Sequence, residues 1–87
     1  MANHKSAIKQ ARRNEARRLR NRWWRARLRT ALKQYRSAIE AGEKEQASSL
    51  LTETLGLVDK TSRAGVIHDN TAARYKSRLQ MAFNKLG

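Results

Sequence analysis

Two kinds of side chain in this sequence are suited to chemistry: a pair of imidazoles and a large set of cations. The imidazoles lead nowhere catalytic. His4 and His68 each stand without carboxylates at the spacing that gathers ligands around one metal ion. Cysteine is absent, so no thiolate site and no disulfide framework can form. Neither a glycine-rich phosphate loop nor a nucleophile motif occurs. Glu43, Glu45 and Asp59 read as helix-dipole and solvent charges. The sequence therefore predicts no enzyme, no catalytic residue, no metal and no cofactor. His68 is left with three uses: a helix cap, a backbone hydrogen bond or a phosphate contact.

The cations carry the signal. Twenty Lys and Arg stand against seven acids, giving a net charge of +13 and a pI near 11.5. Guanidinium forks and ammonium groups neutralise phosphate, so the partner class is nucleic acid first and an anionic membrane surface second. No hydrophobic run approaches the roughly eighteen residues of a membrane span. The opening MANHKSAIKQARR lacks the apolar core of a secretory signal.

The element that positions most of this charge is the stretch Asn3 to Ala41. It contains no proline and no glycine, and it reads as one helix. Thirteen of the twenty basic residues lie in it against Glu15 and Glu40, for a net charge of +11. Like charges meet at i,i+4 at Arg13/Arg17, Arg18/Arg22, Arg25/Arg29 and Arg29/Lys33, which is mildly destabilising in a free helix. At about 100° per residue, Trp24, Leu28, Ala31, Leu32, Tyr35 and Ile39 form one apolar seam. Toward the N-terminus the same seam becomes Arg20, Arg17, Arg13 and Lys9. One half of the helix therefore packs, and the other half is an arm whose corresponding face is cationic. A second stripe, Arg18, Arg22, Arg25, Arg29, Lys33 and Arg36, runs down the helix beside it. From these stripes the candidate phosphate contacts of the first helix are Arg12, Arg13, Arg17, Arg18, Arg22, Arg25 and Arg29. Met1 to Ser6 is expected to fray, with Asn3 or Ser6 as cap candidates.

Ile8, Leu19, Trp23 and Ala26 lie on a narrow strip away from the core seam. It reads equally as incidental exposure and as a contact with RNA or a neighbouring protein. Trp24 belongs to the seam. Trp23 lies off it, to stack on a base, pack on ribose or cover the bundle end.

Gly42 and Gly65 punctuate the rest, each following a run of helical periodicity. A second helix is expected from Glu43 to Ala64, with Ala47, Leu50, Leu51, Thr54, Leu57 and Val58 on one face. Its net charge of −1 makes it a packing element turned away from any polyanion. Val66 and Ile67 plug the bundle end, and His68, Asp69 and Asn70 offer caps for a third helix, Thr71 to Leu86. Its core stripe is Ala72, Tyr75, Leu79, Ala82/Phe83 and Leu86; Arg74, Arg78 and Lys85 form a separate basic stripe. Both loops are short, so successive helices are antiparallel neighbours. The expected fold is all-α: a three-helix bundle with a long, overhanging basic N-terminal helix. It forms one domain, 1–87, with 1–20 as the basic arm and 21–87 as the bundle. The third helix is expected to run alongside both others. The core is expected to hold Leu28, Leu32, Tyr35, Leu51, Leu57, Val58, Tyr75 and Leu79.

The opening ANHKSAIK, the YRSAIEAG that ends the first helix and the run GVIHDNTAARYKSRL resemble the bacterial small-subunit ribosomal protein numbered twenty. The resemblance covers essentially the whole chain, and GVIHDNTAARYKSRL is its specific part. It implies a three-helix bundle with a long first helix. It also implies direct binding to small-subunit (16S) ribosomal RNA at the base of the subunit, bridging the 5′ domain and the long 3′ minor-domain helix. By position it makes Asn3, Lys5, Ser6 and Lys9 in the first motif RNA contacts. In the last motif it does the same for His68, Asn70, Arg74, Lys76, Ser77 and Arg78. Asp69 departs from the family's usual basic residue, which weakens the case for a phosphate contact there. The Trp23-Trp24 pair is a second departure. The implied setting is the cytoplasmic ribosome, with other small-subunit components as possible neighbours, no membrane and no homo-oligomer. Recognition by shape, phosphate and 2′-OH is expected, because A-form major grooves are too narrow to read. The arm is expected to order only on RNA. A nucleoid-associated DNA binder is the alternative, although it usually needs a dimer or a groove-reading helix. An amphipathic membrane-surface helix is disfavoured by the thin apolar strip.

Overall fold

Helix-favouring Ala, Arg, Lys, Gln and Leu fill the first forty residues, and the computed structural model places nearly all of them in one helix. The structure describes the backbone of residues 2–86 and the side chains of residues 6–86. Helix α1 spans Ala2–Glu40, α2 Lys44–Arg63 and α3 Asp69–Asn84. The 39 residues of α1 make a rod of about 58 Å, and the molecule measures 65 × 21 × 14 Å. Because α1 already runs from Ala2, Asn3 and Ser6 lie inside the helix and neither is its N-cap. Met1 lies outside the described residues.

Both helix ends marked by glycine close in the same way. Gly42 takes φ +71° and Gly65 φ +77°, the left-handed region that a Cβ disfavours. At the first, Gly42 N–H donates to Ile39 O and Glu43 N–H to Ala38 O, both at 3.1 Å. At the second, Gly65 N–H donates to Ser62 O at 2.9 Å and Val66 N–H to Thr61 O at 3.2 Å. This paired pattern satisfies carbonyls that the helix end leaves open.

The chain then doubles back twice. Helix α2 lies against the second half of α1 and α3 lies against α2, so α2 is the middle element. Helix α3 runs alongside both others, but unequally: its backbone stays close to α2 and meets α1 through side chains. The principal link is Tyr35, 2 % exposed, whose hydroxyl donates to Leu79 O at 2.6 Å. Leu28, Tyr35, Leu51, Val58 and Leu79 are buried as expected, and Leu32, Leu57 and Tyr75 pack half-buried around them. Two buried positions were not legible as core. Ala38, near the end of α1, falls outside the predicted seam, whereas Ala47 is buried on the face expected of α2. Thr61 is buried, and its hydroxyl is satisfied by donating to Leu57 O at 2.7 Å within its own helix. Thr54, on the predicted face, is buried with its hydroxyl unpartnered among the described residues.

Candidate nucleic-acid interface

Among the described residues, none covers side chains 6–20 of α1. Side chains 6–20 are all exposed, Arg13, Arg17, Arg20 and Lys9 of the seam's continuation among them. Ser6 and Arg12 are exposed too; the side chains of Asn3 and Lys5 lie outside the described residues. Farther along, Arg22, Arg25, Arg29, Lys33 and Arg36 are exposed. Arg17, Arg18, Arg22, Arg25 and Arg29 border one shallow concavity along this flank. Among the described residues of this flank only Arg18 is locally neutralised: its guanidinium donates to both Glu15 oxygens at 3.1 Å, in an exposed i,i+3 pair. Such pairs contribute little and yield readily to a stronger anion.

The last motif divides by role once folded. His68 is the N-cap of α3: its Nδ1 accepts from Asn70 N–H at 3.1 Å. Of the three uses open to His68, the cap and the backbone hydrogen bond are realised together. Asp69 opens α3, where a carboxylate suits the helix dipole, and it accepts from the Ser62 hydroxyl at 2.7 Å. The departure at this position thus ties α2 to α3. Lys76 is half-exposed and ion-paired with Asp59 of α2, so part of its charge is already answered. The Ser77 hydroxyl faces the Met81 sulfur at 3.8 Å. Asn70, Arg74 and Arg78 are exposed.

Tertiary structure brings two stripes together. Arg36 of α1 and Arg78 of α3, 42 positions apart in sequence, border one groove of about 240 Å3 whose floor is Leu32, Tyr35, Tyr75 and Leu79. The hydrogen bond from Tyr35 to Leu79 lies in that floor. Burial of Tyr35 pushes its phenol above the ordinary value of 10.0, so it stays a neutral donor at physiological pH. Arg78 also borders a second hollow with Lys85, at the open end of the bundle. Two cationic side chains that were singled out by neither motif nor stripe are Arg27 and Lys60. Arg27 stacks over the Trp23 ring at 4.7 Å, a contact its i,i+4 spacing made readable. Lys60 lies across from it on α2, and no local pattern marks that.

Among the described residues, no group of His, Asp or Glu could hold a metal ion, and no helix is long and apolar enough to cross a membrane.

The family model described as ribosomal protein S20 matches residues 2–84. The chain belongs to the ribosomal protein S20 family. Its relatives include the small ribosomal subunit protein bS20 of Mycolicibacterium smegmatis, 52 % identical over 99 % of this chain and all of the relative. The protein of that name from Rhodococcus erythropolis is 50 % identical with the same coverage. The one from Thermomicrobium roseum is 46 % identical over 99 % of this chain and 87 % of the relative. Family membership, the ANHKSAIK and GVIHDNTAARYKSRL motifs and the uncovered cationic helix now point the same way. This is a family of structural ribosomal components, not of enzymes, and it works on the ribosome.

Proposed function

We propose that this chain binds small-subunit (16S) ribosomal RNA directly and stabilises its fold by clamping phosphates. The observation that carries the reading is the uncovered cationic flank of α1, running from Lys9 to Arg36 and meeting Arg78 of α3 at its far end. A single rod of about 58 Å can hold RNA segments that are distant in RNA sequence. The bundle half supplies rigidity, and the arm supplies reach. Arg12, Arg13, Arg17, Arg18, Arg22, Arg25 and Arg29 are the phosphate ligands of α1, with Lys5, Lys9, Asn3 and Ser6 at its start. Arg74 and Arg78 serve from α3, with Asn70 and Ser77 as hydrogen-bonding partners of ribose or phosphate. Lys76 contributes after exchanging Asp59, and His68 mainly by fixing the start of α3. Its charge makes the protein a counter-ion: each phosphate neutralised releases condensed cations from the RNA.

Binding to small-subunit RNA measured against salt tests this. With about eight phosphates neutralised, log affinity should fall against log salt with a slope of roughly −5 to −7. A slope near zero would remove the clamping mechanism. Tighter binding to duplex DNA than to the RNA would favour a nucleoid protein instead.

A further inference from the structure

At the root of the overhang, a groove of about 860 Å3 opens between α1 and α2. Its α1 wall carries Trp23, Trp24 and Arg27; Gly56 and Lys60 stand on the α2 wall. Trp23 is 51 % exposed, yet its ring is held from two sides. The Arg27 guanidinium lies over it at 4.7 Å, and the Trp24 ring meets it edge-on, with centroids 4.8 Å apart and planes at 80°. An indole fixed by its neighbours and left open to solvent is a platform with little rotamer freedom to lose. Gly56 faces it with open space where a side chain would stand, in the middle of a helix where glycine is otherwise unfavourable. Thr54, buried with a hydroxyl that has no partner among the described residues, also borders the groove.

The surroundings say what the platform suits. Ala26 borders both this groove and the concavity of Arg17, Arg18, Arg22, Arg25 and Arg29. A strand whose phosphates lie on those arginines therefore passes the mouth of the groove. Arg27 and Lys60 outweigh Glu53 along its rim, so a polyanion is favoured there. Aromatic rings and guanidinium planes both stack on bases, independently of sequence.

We propose that this groove receives one unpaired nucleobase of the bound RNA, stacked on the Trp23–Arg27 platform. The proposal rests on the RNA-binding reading above. Phosphate clamping then holds the strand and the platform holds a base splayed out from it.

Trp23 and Trp24 are the two tryptophans of the chain, so the full-length Trp24→Phe protein leaves Trp23 as the sole indole reporter. Single-stranded oligoadenylate should quench its emission, and a fully paired RNA duplex should bind without quenching. Trp23→Ala should weaken oligoadenylate binding about 5- to 150-fold with the salt slope unchanged, because no phosphate contact is removed. Gly56→Leu fills the groove from the opposite wall without altering either tryptophan; it should keep the helical spectrum and abolish the quenching. Oligoadenylate bound with normal salt dependence but without quenching would overturn the platform and leave the RNA reading standing. Normal RNA affinity of Trp23→Ala combined with poor incorporation into small subunits would also overturn it, by assigning the groove to a protein neighbour. Binding of neither RNA form by the unmutated chain would remove the RNA reading, and the platform with it.

Discussion

Replacing Tyr35 with phenylalanine removes one oxygen and little else. Tyr35 is buried and its hydroxyl donates to Leu79 O at 2.6 Å, the principal polar link between α1 and α3. The ring still fills its place in Tyr35→Phe, so no cavity opens. The Leu79 carbonyl keeps its position in the ladder of α3, so no acceptor is orphaned. The cost should therefore be that of one intramolecular hydrogen bond, about 0.5–1.5 kcal/mol. For a domain of this size that lowers Tm by roughly 2–12 °C. The pH dependence adds a second check. Burial raises the folded pKa above 10.0, so the ionised phenolate is disfavoured in the folded state. Stability tied to neutral Tyr35 is fully present below about pH 10 and is lost as pH rises through the raised folded value. The variant lacks this loss. Thermal unfolding followed by circular dichroism should show Tyr35→Phe less stable than the parent at pH 7, with the gap closing at alkaline pH. An unchanged Tm at pH 7, or a gap that is constant up to alkaline pH, would refute the reasoning.

Four further outcomes are expected. Leu51→Ala empties a buried site between helices and should cost about 2–5 kcal/mol, enough to unfold a small bundle; an unchanged melting temperature would show the site is not core. Thr54→Val should stabilise the fold by about 1–3 kcal/mol, by removing a buried hydroxyl that has no partner among the described residues; a lower Tm in the same melt would mean the hydroxyl is bonded. Arg74→Ala with Arg78→Ala should weaken RNA binding and leave helicity intact, since both side chains are exposed; lost helicity would assign them a structural task instead. Hydrogen exchange should find amides 6–20 unprotected in the free protein and protected with RNA, because an uncovered helix is marginal, while amides 28–39 stay protected throughout. Equal protection of the arm in both states would show a preformed helix.

The sequence by itself determined the helices, the overhang and the sign of the partner's charge. Each of these depends on neighbours within a few residues. Gly42 and Gly65 end helices because only the adjacent backbone must turn left-handed. The seam from Trp24 to Ile39 is visible because 3.6-residue periodicity assigns a face without reference to any other element. That Lys9, Arg13, Arg17 and Arg20 continue it told that nothing apolar covers the arm. The three motifs named the family, and the family model confirms it over residues 2–84.

What remained for tertiary structure was pairing. Asp59 with Lys76, Ser62 with Asp69, Tyr35 with Leu79 and Arg36 beside Arg78 all join different helices. Periodicity says which way a side chain points, and not which residue of another helix stands opposite. That depends on the crossing geometry and register, which the packing of side chains such as Ala38, Ala47 and Leu51 decides. The same reason accounts for the middle position of α2: short loops make successive helices neighbours but leave open how closely the first and third meet. It also accounts for the groove at Trp23. Its Arg27 wall is local, but Gly56 and Lys60 reach it only because α2 folds back to the root of the arm.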